Sequence, residues 1–264
     1  MHESVYFNGR IVESAQIAAV SSAALYGRGV FSTIAVQGGK PFLLDKHCRR
    51  LIANAATLGL ELPITLEDDV CSGLSELIEA NDLFRGRARV TIFDESESRM
   101  WSDSHRPNIS LLMIAGEARP TPIELSVTLS PHNINSTSAL AGIKSCNYLE
   151  HLLAYEEAGG RGFNEAIRVN EKGGVTSACM ANVFWESDGK LVTPSLSTGC
   201  LPGTTREFVM ENLECEEVES EIEEIETAHR IFLTSAGIGV VAAVEFAGRK
   251  LDASDHPILN LMPN

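Results

Sequence analysis

A chain of 264 residues with 44% hydrophobic and 22% charged side chains has the apolar surface for a sizeable core, which excludes a disordered chain and allows one large domain or two ordinary ones. Its formal charge of −15 argues against a nucleic-acid partner, because phosphate repels such a surface. No apolar stretch reaches bilayer length, and the opening MHESVYFNGRIVES has neither the basic nor the apolar part of a signal peptide. Six cysteines stand singly at 48, 71, 146, 179, 200 and 215. Zinc would want close pairs and a disulfide scaffold a denser set, so this usage predicts a reducing cytoplasm and no metal, while the lack of a long apolar stretch predicts no membrane.

In chain order, residues 3–12 and 30–44 alternate apolar and polar positions around Asn8-Gly9 and Gly38-Gly39, predicting strand–turn–strand units. Asp45 precedes KHCRRLIANAATLGL, a predicted helix with Leu51, Ala55 and Leu58 on one face. A second helix is predicted over 66–80, with Val70, Leu74, Leu77 and Ile78 inward, followed by strands at 87–93 and 108–115. AGEARPTP (115–122) has the Gly, Pro and polar content of a connector, giving a small N-terminal domain at 1–115, a linker at 116–122 and a larger domain at 123–264. In that larger part a strand at 123–130 and a loop at 131–138 precede a helix over 147–158, with Leu149, Leu152 and Leu153 inward and Gly159-Gly160 as its stop. Turns at NEKGG (170–174) and SDGK (187–190) separate strands at 165–169, 175–185 and 190–193. A helix from Thr204 to Leu213, an acidic helix between Glu214 and Glu226 on Val218, Ile222 and Ile225, and a strand pair at 230–247 complete the chain. The class is α+β in two domains.

The lysines are few enough to weigh one by one. Lys40, Lys172, Lys190 and Lys250 sit in or beside Gly-rich turns, and Lys46 opens the first helix. Lys144 instead follows the apolar run SALAGI, read as a buried strand, and precedes a helix. Burial disfavours an ammonium, and a desolvated amine is what Schiff-base chemistry needs; a snorkelling lysine is the ordinary alternative. In CLPGTTREF (200–208), Thr204 can cap a helix and Glu207 completes a possible capping box. Amides at such a helix start bind anions, although an ordinary capped helix has the same string. Arg50 could reach a phosphate, or could be a solvated helix charge.

Taken together and in order, YFNGRIV (6–12), YGRGVFSTIAV (26–36), KPFLLDKHCRRL (40–51), IKSCNYL (143–149), GGVTSACMANVFWESDGKLVTP (173–194), LPGTTREFV (201–209) and IFLTSAGIGVV (231–241) resemble the class IV aminotransferases, the fold-type IV pyridoxal-phosphate enzymes. The resemblance implies a small N-terminal α/β sandwich, a larger C-terminal pseudobarrel domain, pyridoxal 5′-phosphate as cofactor, an amine or amino-acid substrate and a homodimer. It also implies roles by position. Lys144 matches the lysine that carries the cofactor and shuttles protons. Arg50 and the turn at Thr204 and Thr205 match the phosphate-binding groups. Tyr148 matches a tyrosine bonded to the cofactor's phenolic oxygen in some members, and Arg89 a position used for substrate carboxylates.

Three departures stand out. Ser177 occupies the place of a glutamate that pairs with the pyridine nitrogen; Arg28 replaces the aspartate of a GDG turn; Ala236 and Gly237 replace residues that include a small hydroxyl near the phosphate. ANVFW (181–185), FLTSAGIGV (232–240) and Ser177 lean towards the aminodeoxychorismate lyases, which release pyruvate and form p-aminobenzoate. The alternatives are an aminotransferase for D- or branched-chain amino acids, and a cofactor-binding relative without catalysis.

Overall fold

The computed structural model describes residues 4–97, 107–118 and 124–261. The chain forms two compact units, one comprising Met1–Arg119 with Ile143–Tyr148 and the other Pro120–Gly142 with Leu149–Asn264. A single passage through one linker is therefore too simple: Ile143–Tyr148 return to the first unit. The predicted linker also overlaps a strand that runs to Glu117, and its residues 119–122 lie outside the described ones.

The first unit opens with the hairpin β1 (Val5–Phe7) and β2 (Arg10–Val12), then a short helix α1 (Ser22–Tyr26). Next come β3 (Gly29–Gln37), β4 (Lys40–Pro41), helices α2 (Leu44–Thr57) and α3 (Leu66–Ala80), and strands β5 (Arg85–Asp94) and β6 (Ile109–Glu117). The sheet order is β2-β1-β6-β5-β3-β4. Alternation along the strands sends Val30, Ile34 and Val36 of β3 and Ala88, Val90 and Ile92 of β5 to one buried face. Leu51 and Ala55 of α2 and Val70, Leu74 and Leu77 of α3 pack on it, each buried leucine contributing about 1.5–3 kcal/mol. Glu67, Asp68 and Asp69 in the first turn of α3 complement the positive end of its dipole.

β3 has one open stretch of edge, and the returning segment fills it. Phe31 N–H donates to Lys144 O at 2.9 Å, and Cys146 N–H donates to Gly29 O at 2.8 Å. Close approach requires glycine there, since a Cβ on Gly29 would stand 2.8 Å from Ile92 O and 3.1 Å from Cys146 Sγ. The run SALAGI before the lysine is not the predicted strand; it is a series of turns with Leu140 exposed.

The second unit contains β7 (Leu125–Leu129), α4 (Leu149–Gly160), β8 (Glu165–Val169), β9 (Val175–Ala178), β10 (Asn182–Ser187) and β11 (Lys190–Pro194). α5 (Thr204–Asn212), β12 (Glu216–Val218), α6 (Ile222–Thr227), β13 (Ile231–Ser235), β14 (Gly239–Phe246) and β15 (Arg249–Lys250) follow. Strand order is β12-β11-β10-β13-β14-β7-β8-β9, with β15 on β14. The two ends of that order meet, because Val175 N–H of β9 donates to Ser220 O just beyond β12 at 2.8 Å. The sheet thus curls back on itself as a pseudobarrel.

Two predicted helices differ from the sequence reading. On α4, Leu149, Leu152 and Leu153 face outward, and Ala154 and Ala158 make the buried stripe. Small side chains allow the helix to lie close to the sheet, which leucines on that face would prevent. The acidic stretch is not one helix: Glu216–Val218 pair in parallel with β11, and only Ile222–Thr227 are helical, with Ile225 buried. The predicted strand 175–185 is likewise two, broken by the turn between Ala178 and Asn182.

Candidate functional site

The first unit gathers Arg50, Arg89, Lys144 and Tyr148 about β3 and the segment that pairs with its edge. The Lys144 ammonium donates to Tyr148 OH at 3.2 Å and lies 4.5 Å from the ring centroids of both Phe31 and Tyr148. Those rings meet edge to face at 5.0 Å, forming an aromatic corner around the amine. Burial first, and then the Arg50 and Arg89 guanidinium groups, push the Lys144 pKa down to about 7. An amine in that state is substantially neutral near pH 7 and able to act as a nucleophile or base. Lys46 is buried too, so burial alone does not single out Lys144; its cationic and aromatic neighbours do.

Arg89 stacks over the other side of the same corner, with its guanidinium carbon 3.6 Å from the Phe31 centroid. Its Nε donates to Thr91 Oγ1 at 3.2 Å, and the Cys146 thiol is a further hydrogen-bond partner. Arg50 projects from α2 towards β3, where its Nη2 donates to Ser32 Oγ at 2.8 Å. Arg49 points elsewhere, exposed and 3.6 Å from Asp45, as a rotation of about 100° per helical residue requires. Ser32 in turn contacts His47 Nδ1 at 2.7 Å, with both side chains buried. Burial, then Arg50 and Lys144, drive the His47 pKa down to about 3, so the imidazole is neutral.

Sequence reasoning did not single out Phe31, Ser32 or His47. Its available signal was the spacing of His47 and Arg50, three apart and hence on one helix face. Arg28 stands apart from this cluster. Its side chain lies 3.8 Å from Asp94 and donates to Leu58 O at 3.5 Å.

The second unit holds Thr204, Thr205 and Ser177. Thr204 and Thr205 are buried at the start of α5. Gly203, rather than Thr204, takes the N-cap position, and no side chain caps it, so the predicted capping box is not formed. Only glycine fits there, because a Cβ would stand 1.9 Å from Asn182 Oδ1, whose side chain also donates to Leu201 O at 2.8 Å. Near Ala236 and Gly237, the Ser235 hydroxyl accepts from the amides of Gly237 and Ile238 at 3.2 and 3.3 Å. Ser177 is buried on β9, directly across from Arg168 of β8. Arg168 is fully buried and donates to His132 O and Asn133 O, each at 2.9 Å, and to the Glu150 carboxylate.

Two carboxylates, Glu165 and Glu186, have partners of their own. Glu165 accepts from the amides of Ala166, Cys179 and Met180 at 3.0, 2.9 and 2.8 Å. Glu186 lies 3.6 Å from Arg230 and 3.4 Å from His256. Among the described residues no group of three or more His, Cys, Asp or Glu is placed to hold a metal, and no helix is long and apolar enough to cross a membrane.

Comparison with known proteins identifies the family. The model of the amino-transferase class IV family matches residues 29–246. An aminodeoxychorismate lyase from Bacillus subtilis is 30% identical over 250 residues, which is 90% of this chain and 84% of that protein. A D-alanine aminotransferase from Bacillus licheniformis is 26% identical over 262 residues, 94% of this chain and 89% of the other. The crystal structure of a branched-chain aminotransferase from Thermoproteus uzoniensis with norvaline superposes with a TM-score of 0.90 at 25% identity, covering 99% of this chain and 92% of that one. By family match, identity and fold, the chain belongs to the amino-transferase class IV family.

Proposed function

We propose that the protein is a pyridoxal 5′-phosphate enzyme of the aminodeoxychorismate lyase type, releasing pyruvate to form p-aminobenzoate. The residues suit the cofactor: a desolvated lysine beside a tyrosine hydroxyl, a guanidinium fixed by a serine, and a helix start whose N-cap is a glycine without a side-chain cap. Lys144 would hold the cofactor covalently, Arg50 and the α5 start at Thr204 and Thr205 would hold its phosphate, and Tyr148 its phenolic oxygen. When bound, the cofactor would supply an electron sink for the bonds around a substrate's amine-bearing carbon. The Lys144 amine, with both protonation states populated near pH 7, takes and returns a proton. The rings of Phe31 and Tyr148 keep water from it, and Arg89 meets a substrate carboxylate.

Ser177 is the observation that carries the lyase reading. A carboxylate against a pyridine nitrogen raises that nitrogen's pKa by about one to three units, whereas a serine hydroxyl brings no charge. Arg168 across the strand is a cation and, opposite in sign to a carboxylate, also favours the unprotonated nitrogen, while Glu165 and Glu186 are engaged elsewhere. A weak electron sink disfavours transamination more than an elimination driven by aromatisation of the product. Purified protein is expected to form p-aminobenzoate from aminodeoxychorismate and to convert bound cofactor to its amine form only slowly with D- or L-amino acids. Ser177→Glu should speed that conversion. Rapid native conversion, unchanged or slowed by Ser177→Glu, would make the protein an aminotransferase instead.

The same reading includes a homodimer, for which the outward Leu149, Leu152 and Leu153 offer an apolar face, and a reducing cytoplasm, which suits six free thiols. Sedimentation of the purified chain reads the first directly.

A further inference from the structure

We infer that Ser32 and His47 are positioning residues that hold the Arg50 guanidinium ready for a phosphate. The inference rests on the reading of Arg50 as the phosphate grip, and adds what keeps that grip in place. A guanidinium only donates, so in its 2.8 Å contact with Arg50 the Ser32 oxygen is the acceptor. The hydroxyl hydrogen is then available to His47 Nδ1, 2.7 Å away, in the tautomer whose Nδ1 carries no hydrogen. A neutral imidazole can accept there, whereas an imidazolium could not. The neutral state of His47 follows from its burial and from the positive charges of Arg50 and Lys144. In that tautomer the donors run one way, from Arg50 to Ser32 to His47.

The placement follows from the fold. Ser32 lies on the face of β3 that α2 covers, and His47 and Arg50 are three residues apart on the facing side of α2. Arg50 has a long side chain with much rotamer freedom, and ordering it before the anion arrives removes part of the entropy cost of binding. A hydroxyl held on its other side by a histidine has a fixed direction, which a freely rotating serine lacks.

The bland alternative is a Ser–His bond that merely ties α2 to β3. Affinity for pyridoxal 5′-phosphate and for pyridoxal, which lacks the phosphate, separates the two. Both are titrated into the full-length protein, wild type and variants, and followed by absorbance. Ser32→Ala is expected to weaken the phosphate form about tenfold and to leave pyridoxal within about twofold. His47→Leu, which removes the acceptor, should act in the same direction, and His47→Asn should recover affinity because its amide oxygen stands near the place of Nδ1. In an Arg50→Ala background, Ser32→Ala should add no further loss. Equal weakening of both ligands by Ser32→Ala, or a full additional loss on top of Arg50→Ala, overturns the inference in favour of a purely structural bond. If Ser32→Ala does not fold, the contrast between His47→Leu and His47→Asn decides the same question. Arg50→Ala that leaves the preference for the phosphate form intact refutes the reading of Arg50 itself, a result distinct from additivity of the double variant.

Discussion

Buried charges serve opposite ends in the two units. In the second, Arg168 is surrounded by two carbonyl oxygens and a carboxylate, Glu165 by three amide donors, and Arg206 by Pro194 O and the Glu217 carboxylate. Arg168 and Glu165 are satisfied largely by backbone, as a staple between loops and strands should be. In the first, Lys144, Arg50 and Arg89 bring three groups of one sign together around an aromatic corner, and the amine gives up part of its basicity as a result. Such a cluster opposes folding rather than aiding it, so its retention points to chemistry.

The sharpest way to break this contrast is at Lys144. Lys144→Ala should lower turnover by at least about a thousandfold while leaving the urea midpoint near that of the wild type, because it removes a repelled cation. Borohydride reduction followed by peptide mapping should label Lys144 in the wild type; a label on Lys46 would move the assignment. A staple should behave in the reverse manner. Arg168→Met leaves the carbonyls of His132 and Asn133 without their donor and should cost roughly 3 kcal/mol in urea unfolding. An unchanged midpoint would remove the staple description.

Glu165 gives a comparable effect that depends on pH. Burial raises its pKa from 4.5 to about 7, although the three amide donors pull the other way. The folded state thus binds this proton more tightly than the unfolded chain does. Its contribution is full below pH 4.5 and is lost as pH rises to about 7, a span worth on the order of 3 kcal/mol. Glu165→Gln should show a flatter stability profile between pH 5 and 8 than the wild type, and parallel profiles would contradict the raised pKa. The smallest effect is predicted for Arg49→Ala, since an exposed i,i+4 pair with Asp45 is worth less than about 0.5 kcal/mol. Cofactor affinity should not change. If it falls more than with Arg50→Ala, the helix register assigned to the phosphate grip is wrong.

Legibility followed the kind of packing each residue makes. The helix at 66–80 could be read because Val70, Leu74 and Leu77 repeat at helical spacing and bury themselves within one unit. α4 could not, because periodicity reveals that an apolar face exists but not whether the small or the large side chains turn inward. The acidic segment misled for a different reason: a three-residue strand is too short for its period to compete with that of a helix. Lys144 was recognisable from its surrounding motif, yet the strand expected before it is a set of turns, since SALAGI has no alternation to require a sheet. Ser32 and His47, from a strand and a helix 15 positions apart, meet only through tertiary packing.

The way Ile143–Tyr148 joins β3 has a consequence for dissecting the protein. A fragment ending at Arg119 would lack this segment, leaving the Phe31 amide and the Gly29 carbonyl as open hydrogen-bonding groups. Exposed strand edges of that kind recruit other chains, so the fragment should form oligomers or aggregates even with its helices and core intact. Supplying the missing residues as a separate peptide should suppress that association by strand addition. The lysine-bearing segment would then be, besides a carrier of chemistry, a built-in edge protector that the chain contributes only after 23 further residues, Pro120–Gly142, have been made.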